Sequence, residues 1–305
     1  MWAYRLLWCL VLVAISWVAR VAESPASPAS DDPAWEVSHI ARSVQPGEVV
    51  LLTVRPPQPL ERLQAQGLGT TFSFFPYGPE GEEKAWKGLV GIDLDVLPGN
   101  HELNLLGTQS EGGQVSASYI LAVKSKRFPT RTLTVEENYV NPPAEELARI
   151  QREGQRVASI FEAVSPDRLW DESFLRPVPG PPTSNFGKRS IFNGQPRSPH
   201  GGMDFRAGEG TPVKAPNTGK VVLAANLYFA GNVVILDHGL GLYSYFAHLS
   251  RITASEGELV SKGAVVGHVG ATGRVTGPHL HWSLRLSGAR VDPLSLVAVL
   301  SGNQR

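Results

Sequence analysis

This chain of 305 residues has almost no cysteine. Its one cysteine, Cys9, lies within an N-terminal apolar run. A chain with a single cysteine forms no internal disulfide, and the part that follows the run carries no thiol nucleophile. Net charge is also absent, because 28 Lys and Arg residues balance 28 Asp and Glu residues. The composition therefore gives no electrostatic reason to expect nucleic acid or an acidic membrane surface as a partner.

The first 22 residues have the pattern of an export signal. Arg5 precedes an apolar run of about 14 residues that ends at Ala19, which is short for a membrane-spanning helix and typical of a secretory signal. Because Arg20 stands where a small residue is preferred before a cleavage site, a retained N-terminal membrane anchor is the alternative to a cleaved signal. Prolines and small polar residues at 23–34 then predict a flexible tether.

Residues 35–125 show the alternation of apolar and polar side chains that predicts β-strands with one buried face. One such alternation runs from Val90 to Val96, and another from Val115 to Val123. Short strands separated by glycine- and proline-containing turns predict an immunoglobulin-like β-sandwich. No cluster of reactive residues occurs here, so spacing, substrate binding and covering a catalytic groove all stay open as its role.

Residues 126–183 are predicted to form a linker with a helix at about 143–164. Asn141 is a candidate N-cap, and Glu145 and Glu146 lie where the helix dipole favours negative charge. Apolar residues recur at steps of three and four and mark one stripe: Leu147, Ile150, Val157, Ile160, Phe161 and Val164. We interpret the stripe as a docking surface onto a domain, with a dimerisation helix as the alternative.

Two short motifs near the C-terminus carry side chains that bind metals. His200 and Asp204 are four residues apart, and His279 and His281 form a His-x-His pair. In a strand, alternate residues share a face, so both imidazoles of the pair project to one side. Histidine nitrogens and a carboxylate oxygen suit tetrahedral zinc, and three protein ligands leave a position for water. The residues therefore predict a catalytic metal centre.

The motifs lie in a segment, 184–305, that is predicted to be an antiparallel β domain. Strand-like runs at 219–224, 232–236 and 242–249 are separated by glycine turns. We thus expect a mostly β protein: an N-terminal sandwich, a linking helix and a C-terminal β domain with a groove at the metal-binding strands.

In combination, the motifs resemble the lysostaphin-type (LytM, peptidase M23) zinc metallopeptidases. The chain has His-x-x-x-Asp at 200–204, then a Tyr-containing segment that ends in His248-Leu249, then Gly-Pro-His-Leu-His at 277–281. By this resemblance His200, Asp204 and His281 would bind Zn²⁺, and His248 and His279 would be the two unligated catalytic histidines. Trp282 and Ser283 stand where the family commonly has Phe-Glu.

The resemblance implies hydrolysis of peptide cross-links in bacterial peptidoglycan. Zinc would activate a water, His279 would be the general base, and His248 would donate to the oxyanion or share the proton transfer. An export signal would place this activity in the periplasm or cell envelope. The oligomeric state is not predicted by the sequence.

Two other functions agree with parts of the sequence. A catalytically silent regulator of another wall hydrolase would ordinarily lack a metal ligand, and none is lost here. A lipoyl or biotinyl carrier is suggested by the glycine-punctuated β pattern at 257–273, with Lys262 as the nearest candidate lysine. That function leaves all the histidines unexplained.

Overall fold

The computed structural model describes residues 34–301, apart from 80–84, 135–136, 138–139, 172 and 184–185. The predicted export signal and nearly all of the predicted tether lie outside the described residues. Contacts group the chain from Ala34 onward into one compact unit. Among the described residues, no helix has the length and apolar character needed to cross a membrane.

In the described part of the N-terminal half, seven antiparallel strands pair with one another. They are β1 (Glu36–Ala41), β2 (Val49–Arg55), β3 (Arg62–Gly67), β4 (Thr70–Tyr77), β5 (Ala85–Gly91), β6 (Gly99–Thr108) and β7 (Gln114–Val123). Their order is β1-β2-β5-β4-β3-β6-β7, one continuous series of paired neighbours. The β character is therefore as predicted, whereas the immunoglobulin-like arrangement of two sheets is not confirmed.

The alternation from Val90 to Val96 is only partly a strand. β5 ends at Gly91, and the residues after Ile92 form a turn. In this turn the amide of Asp95 donates to the carboxylate of Asp93 at 3.0 Å. Asp residues favour such local bonds over strand pairing, so the prediction that the alternation is one strand is wrong beyond Gly91.

The predicted helix is α1 (Ala144–Glu162), and it begins without a side-chain cap after Pro143. Asn141 lies two residues too early to cap it, so that part of the prediction is wrong. The second half of the stripe, Val157, Ile160 and Phe161, packs on a cluster of buried residues of the C-terminal half. This packing confirms docking for that half of the helix.

In the described residues after β7, twelve further strands and a second helix complete the fold. A small sheet contains β8 (Thr130–Leu133), β9 (Arg189–Phe192) and β10 (Gln195–Arg197). The large sheet is built from β11 (Met203–Phe205), β12 (Pro212–Lys214), β13 (Gly219–Leu227), β14 (Gly231–Gly239), β15 (Leu242–Ile252), β16 (Leu259–Val260), β17 (Val265–Val269), β18 (Leu280–Leu286) and β19 (Ala289–Val291). Its main order is β11-β18-β15-β14-β13-β16, and α2 (Pro293–Ser301) follows.

One apolar cluster joins the two halves. Val49 and Leu51 of β2 lie in the same buried cluster as Val291 and Leu296 of the C-terminal half. Polar groups also link the two halves, because the buried carboxylate of Asp292 accepts a hydrogen bond from Arg42 at 2.6 Å. The N-terminal strands are thus packed against the sheet that carries the two metal-binding motifs.

Candidate metal centre

Strand pairing brings the two motifs together. β11 and β18 are antiparallel with Asp204 opposite His281, and β15 pairs with the other edge of β18 with Ala247 opposite His281. A Cβ placed on Gly202 would lie 2.7 Å from the His281 ring. Only glycine therefore allows the chain after His200 to pass this close to the imidazole.

Three donor atoms converge on one point. His200 Nε2 lies 3.2 Å from Asp204 Oδ1 and 3.1 Å from His281 Nδ1, and the latter two atoms are 2.9 Å apart. With zinc–ligand bonds of about 2.0–2.2 Å, the corners of a tetrahedron are about 3.3–3.6 Å apart. The observed triangle is only slightly tighter, so these three residues form a potential cation site that fits zinc in donor type and size.

The ionisation of the cluster suits a cation. Burial opposes the charge on Asp204, but hydrogen bonds from His200 and His281 outweigh it and hold the pKa of that carboxyl far below its usual range. Burial lowers the pKa of His281, against the bond to Asp204. A carboxylate and neutral imidazoles are the forms that bind metals.

The two remaining histidines are oriented by backbone carbonyls. His279 Nδ1 lies 2.9 Å from the Gly277 carbonyl, and His248 Nδ1 lies 3.0 Å from the Thr272 carbonyl. Since a carbonyl only accepts, each Nδ1 carries the proton and each neutral ring has its lone pair on Nε2. The ring centroids are 5.1 Å apart, and His279 Nε2 is 3.8 Å from Asp204 Oδ1.

His248 is held in an unusual backbone conformation. Its φ is +64°, in the left-handed region, and its amide donates to the Ala230 carbonyl at 2.9 Å. Such a conformation costs about 1–3 kcal/mol and persists only when the surroundings enforce it. Burial, followed by the nearby His281, lowers the pKa of His248 to about 4, so the ring is neutral at pH 7.

All five residues singled out from the sequence are thus brought to one place, with His279 immediately before β18 rather than inside it. Sequence reasoning missed the bond from His248 to Thr272, because the two residues lie 24 positions apart and share no motif. Lys262, by contrast, binds Asp171 Oδ1 and Ser173 Oγ at 3.2 Å each. A lysine tied down in this way does not fit a carrier of lipoyl or biotinyl groups.

Comparisons with known proteins point the same way. Residues 198–293 match the profile described as peptidase family M23. The chain is 42% identical over 113 residues to the peptidoglycan DD-endopeptidase ShyA of Vibrio cholerae, and 42% identical over 97 residues to the DD-carboxypeptidase/endopeptidase Mpg of Neisseria meningitidis. These regions cover 37% and 32% of this chain, but only 26% and 22% of the two relatives.

A solved structure covers far more of the chain. A crystal structure of a candidate M23 peptidase from Pseudomonas aeruginosa matches with a TM-score of 0.66 and 34% identity, over 85% of this chain and 97% of the other. The metallopeptidases of this family are zinc-dependent, which agrees with the His-Asp-His cluster. With a relative covered almost end to end, and all five site residues inside the family profile, this chain belongs to peptidase family M23.

Proposed function

We propose that this protein is an exported zinc metalloendopeptidase that hydrolyses peptide cross-links of bacterial peptidoglycan. The observation that carries the proposal is the triangle of His200, Asp204 and His281 donor atoms with two further histidine Nε2 atoms beside it. The names of the curated relatives support peptidoglycan as substrate and favour a DD cross-link as the bond. The predicted signal segment supports the periplasm or cell envelope as the place of action.

His200, Asp204 and His281 would hold the zinc ion, which when bound lowers the pKa of a water and polarises the scissile carbonyl. His279 would act as the base, because its Nε2 is an acceptor and lies 3.8 Å from Asp204 Oδ1, one of the three proposed ligand atoms. The proton would then pass to the leaving amine.

The structure favours one of the two roles considered for His248. With its proton on Nδ1 and its pKa lowered, the neutral ring has no hydrogen on Nε2 to donate to an oxyanion. His248 would therefore share the proton transfer first and donate to the oxyanion only as the imidazolium that results. The silent-regulator alternative gains no support, since no ligand or catalytic position is substituted.

Zinc content and wall digestion test these roles together. We expect a protein of residues 31–305 to bind about one zinc ion and to digest purified peptidoglycan. His281→Ala should lose the metal, whereas His279→Ala should keep it, and both should lose cleavage by a factor of about 100 or more. His39→Ala, which changes a distant histidine of β1, is the matched control and should retain both properties. Full cleavage by either site variant would refute the assigned roles.

A further inference from the structure

A cleft of about 470 Å³ is lined in part by the strand that carries His281, and its volume is within the size range of small-ligand sites. It is formed where β4, the end of α1 and the β18–β19 turn meet. The residues that matter for its chemistry are Thr70, Phe161, Glu162, Arg285, Ser287 and Arg290. The five residues assigned to the metal centre and its catalytic histidines do not line it, so it is separate from that centre.

Arg285 is the chemically distinctive residue of the cleft. Its Nη1 is buried, and none of the described residues accepts a hydrogen bond from it. The neighbouring guanidinium of Arg290 is already satisfied by Asp93 at 2.6 Å and Asp95 at 2.7 Å. No ion pair links Arg285 to any acidic residue in the described part of the chain. A buried cation without an anionic partner is costly, and the cost falls when an anion binds.

The surroundings keep Arg285 charged and in place. Burial, followed by repulsion from Arg290, lowers the pKa of Arg285 to about 10, which leaves the side chain protonated at neutral pH. Its guanidinium carbon lies 5.3 Å from the centre of the Phe161 ring, a cation–π contact with α1. The charge therefore persists in a site whose wall is partly apolar.

Arg285, which lines the cleft, is on the same strand as His281, one of the three proposed metal ligands. His281, Ser283 and Arg285 are alternate residues of β18 and so belong to one face of it. Four residues along a strand span about 13 Å, the length of about four residues of an extended peptide. Both Nη atoms of Arg285 lie 4.0 Å from a Cβ built on Gly201, the residue that follows His200. Ser283, between the two, is buried and carries no negative charge.

We propose that Arg285 forms a carboxylate-binding subsite, in which the cleft receives a free carboxylate of the peptide whose amide is cut at the metal centre. This inference rests on the proposed peptidase function and adds a determinant of which peptides are cut. A guanidinium binds a carboxylate through paired hydrogen bonds, a geometry that lysine does not reproduce. Acidic peptides would therefore bind better than their amidated forms.

The test compares binding of two peptides and does not depend on hydrolysis. The zinc-loaded full chain with His279→Ala is titrated in a calorimeter with a synthetic cross-linked peptide, once with free carboxylates and once with the same carboxylates amidated. We expect the free-acid peptide to bind about 10- to 100-fold more tightly. Adding Arg285→Gln should reduce this ratio to about one, and Arg285→Lys should restore only part of it. Arg55→Gln, on the exposed side of β2, should leave it unchanged.

If the protein that retains Arg285 binds the free-acid and amidated peptides with equal affinity, the proposed subsite is wrong. It is also wrong if Arg285→Gln still binds the free-acid peptide more tightly by the same factor. Failure of the proposed function shows itself differently, as wild-type protein that does not digest peptidoglycan, and leaves the ratio of the two affinities measurable.

Discussion

Thr272 ties the loop before the histidine pair to the strand that carries His248. Its hydroxyl accepts from the Asn232 amide at 2.9 Å and donates to the Leu249 carbonyl at 2.8 Å, while its own carbonyl accepts from His248. The loop and the catalytic ring are therefore positioned by one residue.

We expect Thr272→Val to weaken both stability and activity. The isosteric change removes both hydroxyl bonds. The Asn232 amide loses its acceptor, whereas the Leu249 carbonyl keeps the bond from the Asn232 side chain, and the loss should cost about 1–3 kcal/mol in the free energy of unfolding. A small displacement of His248 should lower kcat about 10- to 100-fold at unchanged zinc content. Denaturant titration, zinc analysis and peptidoglycan digestion measure the three quantities. Thr272→Ser keeps the hydroxyl and should behave nearly as wild type, and a fully active Thr272→Val would contradict the role.

His238 lies under the metal-binding strand, and the described contacts satisfy both of its ring nitrogens. Nδ1 donates to the Thr218 carbonyl at 2.8 Å, and Nε2 accepts from the Ser244 hydroxyl at 2.8 Å, which in turn accepts from Trp282. Burial lowers the pKa of His238 to about 4, despite the bond to Thr218. The ring is thus neutral in the folded protein throughout the mildly acidic range.

The free energy of unfolding should therefore fall as the pH is lowered from about 6.5 to about 4. In this window the unfolded chain binds a proton at His238 and the folded chain does not, so acid favours unfolding, by about 3 kcal/mol at most for this residue. Denaturant titrations with a chelator present, at pH 7 and pH 4.5, should give a smaller difference for His238→Gln than for wild type. His101→Gln, which changes a partly exposed histidine of β6, serves as the control and should not change the difference.

The convergence of His200, Asp204 and His281 could be predicted, because metal-binding side chains recur at characteristic types and spacings. His200, Asp204 and His281 are donors at separations that strands bring together. Which nitrogen of His248 carries the proton could not be predicted, because it depends on a carbonyl 24 residues away. Arg285 was missed for a similar reason: in the sequence it is one more charged residue of a strand, and only its burial distinguishes it.

Among the elements, α1 shows where periodicity predicts packing correctly and where it does not. Phe161 packs edge-on against Tyr243, with ring centroids 5.6 Å apart, whereas Leu147 in the same stripe is 51% exposed. The stripe predicts which face of α1 is apolar. It does not predict how much of that face the sheet covers. The prediction of one strand from Val90 to Val96 was wrong for a related reason, because the hydrogen bond between the Asp95 amide and the Asp93 carboxylate favours a turn after β5.

Substitutions in α1 separate docking from dimerisation. Phe161→Ala should lower the free energy of unfolding by about 2 kcal/mol, because a half-buried aromatic ring loses its contacts with the sheet. Leu147→Ala should change it by less than about 0.5 kcal/mol. Thermal denaturation and light scattering measure stability and mass. A lower mass for Leu147→Ala than for wild type would favour the dimerisation helix instead.

Across the whole molecule, the sequence divided the chain into a sandwich at 35–125 and a peptidase domain at 184–305, and those boundaries stay predictions. The structure instead places Val49 and Val291 in one buried cluster. The residues Val49 to Leu52 form a continuous apolar run and β2 is buried on both faces, but such a run carries no information on the surface that covers each face. The N-terminal strands therefore need to be considered as part of the support of the metal-binding sheet.

Asp292 tests this view, since it links the two halves at a buried position. Its carboxylate accepts from Arg42 at 2.6 Å and from the Leu294 amide at 2.9 Å, and its own amide donates to the Gly47 carbonyl at 2.7 Å. Asp292→Asn keeps the size of the side chain and an acceptor for α2 but removes the charge that faces Arg42. Because Arg42 is partly exposed, the loss should be about 2 kcal/mol, below that of a fully buried pair.

If the halves are one cooperative unit, the residue 31–305 protein should unfold in a single transition, and Asp292→Asn should move that transition to lower temperature without splitting it. Calorimetry, with tryptophan fluorescence as a second probe, measures this. Asp95→Asn changes a carboxylate that is 70% exposed and should have little effect. Two separate transitions in the wild type would instead mean that the N-terminal strands fold as an independent domain. In that case their contact with the metal-binding sheet would add little to its stability.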